Sequence, residues 1–181
     1  VQLHKRDVVA KAAAILDNYG IADLTMRRLA RELDVTPGAL YWHFANKQEL
    51  LGAVADQVLG PACDGCAPTA WRERIETVCC RLRDALLSHT DGAELVSASF
   101  AAGQSRAVEQ ILDLLAEAAG EAGVDVAHRT QAARTVLHYV LGATADEQSR
   151  LQWDAAGAAL PERQSVLAAD PRPDSSSACG C

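Results

Sequence analysis

Residues 36–47 read TPGALYWHFANK, and Tyr41, Trp42, His43 and Phe44 follow one another there in a chain that is only 4% aromatic. Before them stand the small residues Thr36, Pro37, Gly38 and Ala39. A run of small residues lets backbone come close to another surface, and polar-tipped rings beside it offer hydrogen bonds as well as apolar faces. Together they suit DNA: Tyr41 and His43 for phosphates or bases, Trp42 for a sugar or a thymine methyl. Arg27 and Arg28 upstream and Lys47 downstream add positive charge on either side. An arginine at 27 suits a guanine, and a lysine at 47 a phosphate.

These groups work only if the elements beneath them hold them on one edge. Thr25 is placed to cap a helix carrying Leu29, Ala30 and Leu33, and Thr36 to cap the next, with Pro37 at its first position, where the missing N–H costs nothing. Between them, Asp34 occupies the turn of a helix-turn-helix, where glycine is usual; Asp tolerates the left-handed conformation better than most residues. Leu29, Leu33, Val35 and Leu40 supply a small core, and Phe44, four residues after Leu40, shares its face. The other reading is a plain hydrophobic cluster of rings with a solvated basic face. It accounts for any one residue but not for the core pattern and the exposed donors occurring together.

Upstream, Val8, Val9, Ala12, Ile15, Leu16 and Tyr19 form a helical stripe over residues 5–19, with Gly20 as its cap. Downstream, Asn46 and Glu49 form a capping box that opens a helix with stripe Leu50, Leu51, Val54 and Val58, ending at Gly60-Pro61. Residues 60–68 then read as a linker. Helices are expected over 71–88, over 91–100 from an Asp91/Glu94 box, over 105–122 and over 126–147, with a weaker one over 151–168. No stretch alternates like a strand, so the fold class is all-α. The Pro- and Ser-rich residues 170–181 read as a disordered tail.

The net charge of −7 is unevenly placed. Residues 1–60 hold seven Lys/Arg against seven Asp/Glu, leaving ten against seventeen beyond, so the two portions are expected to have different partners. No apolar run approaches the roughly 20 residues of a membrane span, and VQLHKRD leads straight into an amphipathic pattern; the reading is cytoplasmic, with no membrane partner. In that setting the six cysteines are expected to be reduced thiols. Cys63 and Cys66 form a C-x-x-C that could bind a soft metal or make a redox disulfide, and Cys79 and Cys80 point to different faces of one helix. No nucleophile elbow, phosphate loop or H-E-x-x-H is present, so an enzyme is not expected.

The segment LTMRRLARELDVTPGALYWHFANKQELL resembles the DNA-binding domain of the TetR family of transcriptional repressors, and LYWH followed by NK resembles its tetracycline repressor branch. ALLSHTDGAEL and YVLGATADEQ extend the resemblance, which covers about residues 5–152. It implies a homodimer that binds a palindromic double-stranded DNA operator and is released by a small-molecule effector. Each subunit would have a head, residues 1–46, and an effector-binding and dimerisation body, residues 47–169, joined by a connecting helix over 47–59. DNA contacts are implied for Arg27, Pro37, Gly38, Ala39, Tyr41, Trp42, His43 and Lys47; Thr25, Arg28 and Thr36, at the helix starts, complete the candidate set. Ala133, Leu137, Val140, Leu141 and Thr144 are expected to pack a helix against the partner subunit.

Where the tetracycline repressor branch has a histidine at the end of the fourth helix this chain has Cys63, and Val96 stands for its metal-binding histidine. Asp146 replaces a glutamate that holds the metal's water, and Leu112 a pocket glutamine. The implied effector is therefore apolar or amphipathic rather than magnesium–tetracycline. Its expected lining is Val58, Cys63, Leu82, Leu86, Val96, Phe100, Ile111, Leu112, Leu115 and His138, although a histidine in an apolar stripe also suits a satisfied core position. His89 and His128 are read as surface residues, and no cofactor or metal is expected. The alternative is a metal- or thiol-responsive repressor using Cys63 and Cys66.

Overall fold

The computed structural model describes residues 3–63 and 70–157. Among these, eight α-helices follow one another with two short 3-10 turns and no strand. Helices α1 (Lys5–Tyr19), α2 (Met26–Glu32) and α3 (Pro37–Tyr41) form the head, and α4 (Lys47–Cys63) runs from it into the body. The body comprises α5 (Trp71–Leu87), α6 (Gly92–Ala102), α7 (Arg106–Glu121) and α8 (Arg129–Ala155). The expected all-α architecture, with an N-terminal helix-turn-helix head, is the observed one.

One continuous apolar core runs through both parts, from Val8, Leu16, Leu29 and Phe44 in the head, through Leu50, Val54 and Leu59 on α4, to Leu82, Leu95, Ile111 and Leu137 in the body. Helix α4 is buried along much of its length, because its apolar residues serve the head at one end and the body at the other. Asp56, on its polar side, accepts hydrogen bonds from the Ser105 hydroxyl (2.7 Å) and the Ala107 N–H (3.0 Å). Ser105 in turn caps α7 by accepting the Val108 N–H at 3.2 Å. Two backbone donors at the start of α7 are thus satisfied, that of Ala107 by the connecting helix and that of Val108 by the Ser105 cap.

Several boundaries differ from those expected. Helix α4 does not stop at Gly60-Pro61 but continues to Cys63, with Pro61 inside it, because Ala62 is fully buried and Cys63 packs on the core, its thiol 3.7 Å from the Ala107 carbonyl. The remainder of the linker, Cys66, the end of the 151–168 helix and the tail lie outside the described residues. No capping box opens α6: Asp91 is left-handed (φ 53°), and its carboxylate accepts from the Ile21 N–H and from Gln152 instead. Residues 126–128 form a 3-10 turn, and α8 passes without a break through residue 147 to Ala155, held to α5 by the paired hydrogen bonds of Arg83 to Glu147.

The small and apolar stripe of α8 also has a different partner from the one expected. Ala133, Leu137, Val140, Leu141 and Thr144 are all at most 4% exposed within the single subunit, where α8 packs on α5, α6 and α7. A seam between subunits and a stripe on a subunit's own core need the same spacing, and periodicity does not distinguish them. On the exposed surface of α8 are Tyr139, Leu151 and Trp153, each more than half exposed.

Candidate nucleic-acid interface

The head is assembled by short-range devices. The Thr25 hydroxyl accepts the Arg28 N–H at 3.1 Å and Thr36 the Ala39 N–H at 3.4 Å, so both helices start where their caps predict. Asp34 takes the left-handed conformation of the turn, with φ 53°. Leu29, Leu40 and Phe44 are fully buried, and Leu33 and Val35 pack against them. At the start of α4, Asn46 accepts the Glu49 N–H at 2.8 Å, while the Glu49 carboxylate reaches past Asn46 to the Ala45 N–H at 2.9 Å and to the Lys5 ammonium at 3.3 Å. Those two donors hold the Glu49 carboxyl below its ordinary range, the Ala45 N–H contributing most.

Three neighbouring rings thereby reach different environments. Phe44 is wholly buried, with the Lys5 ammonium 4.6 Å from its ring centre, whereas Tyr41 is 52% and Trp42 91% exposed. Thr25, Arg27, Thr36, Pro37 and Gly38 are exposed too, and Ala39, His43 and Lys47 are half-buried. A side chain at 38 would meet only the Thr36 hydroxyl, at 3.8 Å, so packing within the head does not call for glycine there. What glycine leaves is bare backbone on an open face.

Arg28 is placed differently from the rest. Its guanidinium lies 3.6 Å from the centre of the Tyr19 ring and 2.5 Å from the Asp23 carboxylate, with its side chain only 18% exposed. This also explains Tyr19, which belongs to the α1 stripe by spacing yet is 53% exposed: its ring serves as a platform for Arg28 rather than as core. Position along the sequence gave no sign of either partnership.

In the body, Val58, Leu82, Leu86, Val96, Ile111 and Leu115 are at most 2% exposed and belong to the continuous core. Cys63, Phe100 and Leu112 pack at its margin. His138, placed by its stripe among buried residues, is exposed, with its ring 5.4 Å from that of Phe100. His89 is not a free surface residue: its Nδ1 lies 2.9 Å from the Asp17 carboxylate, across the junction of body and head. Burial pushes the Cys79 thiol up to about 11, with Cys80 beside it contributing less. Among the described residues no three His, Cys, Asp or Glu side chains are grouped to hold a metal, and no helix is long and apolar enough to cross a membrane.

Residues 8–54 match the family model for bacterial regulatory proteins of the tetR family, and residues 66–172 that of the tetracyclin repressor-like C-terminal domain. The chain belongs to the TetR family. It is thus a ligand-responsive transcriptional repressor that binds double-stranded operator DNA as a homodimer, and not an enzyme. The crystal structure of Mycobacterium smegmatis BioQ is 71% identical, covering 87% of each chain with a TM-score of 0.85. BioQ solved with its natural double-stranded DNA operator is 70% identical over 84% of this chain and 90% of that one, with a TM-score of 0.82. The Escherichia coli tetracycline repressor protein of class E is 32% identical over 81% of this chain and 69% of its own length. Placement nearest the tetracycline repressor branch is thereby corrected, since this TetR-family chain shares about twice as much sequence with BioQ. LYWH and NK are short stretches of the head, and so few positions do not outweigh the identity over the whole chain.

Proposed function

We propose that this repressor grips its operator through the edge formed by α3 and the starts of α2 and α4. Tyr41, Trp42 and His43 contact base edges and sugars, Arg27 reads a guanine, and Thr25, Thr36 and Lys47 hold phosphates. Pro37, Gly38 and Ala39 bring backbone against the groove, and Arg28, bonded to Asp23, supports the edge from behind. The observation that carries this reading is the exposure of Trp42 at 91% next to a fully buried Leu40 and Phe44. Trp42 and the half-exposed Tyr41 form one continuous ring surface beside the bare backbone of Gly38, and a contiguous exposed aromatic patch of this kind suits a partner surface.

In the body, the faces of Val58, Leu82, Leu86, Val96, Ile111 and Leu115 form the effector region, with Cys63, Phe100, Leu112 and His138 at its margin. The effector is apolar or amphipathic, as those side chains require. Because they are packed together, a ligand enters only by separating them, and α4, which contributes Val58, moves with that separation. The opened state holds the two heads at a spacing unsuited to the operator, so a ligand preferring it drains the DNA-binding population. The outward surface of α8, with Tyr139, Leu151 and Trp153, faces the partner subunit. The head extends from the N-terminus to residue 46, and the body begins with α4.

The test is fluorescence anisotropy across a salt series with the operator duplex that was crystallised with BioQ, for wild type and Tyr41→Ala. Tight, salt-dependent binding by wild type and at least a tenfold loss in the variant are expected, about 1.4 kcal/mol or more. Equal affinity of the two proteins at every salt concentration refutes the assignment of α3.

A further inference from the structure

Besides α4, a second set of contacts joins the head to the body. It is built on the turn between α5 and α6, residues 88–91. On the body side, Gln148 of α8 donates to the carbonyls of Leu86 (3.0 Å) and His89 (2.8 Å), and its own carbonyl accepts the Ala93 N–H at 3.1 Å. One turn further along α8, Gln152 donates to the Asp91 carboxylate at 3.0 Å. Two glutamines four residues apart lie on one face of a helix, so α8 grips both ends of the turn.

On the head side, the other Asp91 oxygen accepts the Ile21 N–H at 3.0 Å, Thr90 donates to the Asp17 carbonyl at 2.9 Å, and His89 lies against the Asp17 carboxylate. Gly20 makes the approach possible: with φ 78° it ends α1, and a Cβ there would sit 2.6 Å from Asp91 Oδ2. Asp91 itself stays in the left-handed region, at φ 53°, a conformation that L-residues other than Asn and Asp rarely take. Here both of its oxygens are engaged, one by each side of the junction. The turn also borders an open cleft of about 510 Å³, so water has access to these bonds.

We propose that this turn, gripped by Gln148 and Gln152, is a latch that sets the angle of the head relative to α8 independently of α4. Because α8 is the helix assigned above to the partner subunit, the latch fixes each head against the dimer axis and so sets the spacing of the two reading edges. The link to operator spacing rests on the proposed function; the link to head angle does not.

Gln152→Ala removes one bond, and Gln152→Glu places a carboxylate against that of Asp91. Gln152 is exposed, so neither change opens the core. A nitroxide introduced at Glu32 on α2 through a non-natural amino acid reports the distance between the two heads of the homodimer by double electron–electron resonance. A narrow distribution is expected for wild type, a broader one for Gln152→Ala and the broadest for Gln152→Glu. With operator duplexes lengthened or shortened by one base pair between half-sites, discrimination against wrong spacing is expected to fall about fivefold in Gln152→Glu. A residue that only stabilised the fold would lower the melting temperature and leave the distance distribution at its wild-type width. Identical distributions in all three proteins overturn the latch. Broadening in the variants, in a protein that binds no operator duplex, supports the latch and refutes the DNA reading instead.

Discussion

Trp42 and Phe44, two residues apart, should respond oppositely to removal. Phe44 is 0% exposed at the centre of the head, and Lys5 stands over its ring. Truncation to alanine removes a fully buried ring from a part of the core framed by short helices with little else to close the gap, which costs about 3–5 kcal/mol. The lost cation–ring contact adds about 0.5–1 kcal/mol. Trp42, 91% exposed, contributes next to nothing to the folded monomer, and its truncation should move stability by no more than about 0.5 kcal/mol. Operator affinity reverses the order: Trp42→Ala should lose about 1–2 kcal/mol, roughly five- to thirtyfold, with the fold intact. Urea denaturation followed by circular dichroism and anisotropy titration on the same preparations separate the two. Trp42→Ala as destabilising as Phe44→Ala, or with wild-type operator affinity, would sink the argument that α3 displays this ring for DNA.

Other consequences follow from the same geometry. Asp34→Gly should raise stability by about 0.5–1 kcal/mol, seen as a higher urea midpoint, because glycine adopts the left-handed turn at no steric cost. Glu49 is held below its ordinary value, 4.5, chiefly by the Ala45 N–H and then by Lys5, so its contribution is complete above that pH and disappears as pH falls through the lower folded-state value. The stability gap between wild type and Glu49→Gln should therefore shrink in acid below about 4.5, measured by denaturation at a series of pH values. With its pKa raised to about 11, Cys79 is roughly one part in a thousand thiolate at pH 8. Iodoacetamide followed by peptide mass spectrometry should label exposed Cys80 well before Cys79, and equal rates would contradict the burial seen here.

Much of the head was legible in the sequence because its determinants are local. Thr25, Thr36 and Pro37 announce helix starts through hydrogen bonds that span only a few residues, and Asp34 announces a turn through its own tolerance of positive φ. The i to i+4 spacing of Leu40 and Phe44 placed both inside and left Tyr41 and Trp42 outside. Local signals are weaker where a residue's partner is distant. Asp91 and Glu94 have the spacing of a capping box, yet Ile21 and Gln152 claim the Asp91 carboxylate, and Tyr19 leaves its stripe for Arg28.

The body marks the same boundary on a larger scale. Helical periodicity alone established that its segments were helices with one apolar face, since a stripe recurring every three or four residues demands burial. It did not establish against what. Leu137, Val140 and Thr144 suited a partner subunit as well as their own subunit's interior, and only the packing of α8 within its own subunit buried them there. Likewise, Gln148 and Gln152 are unremarked polar residues in the sequence. Their grip on the α5–α6 turn exists because the tertiary fold brings residues some sixty positions apart within hydrogen-bonding distance.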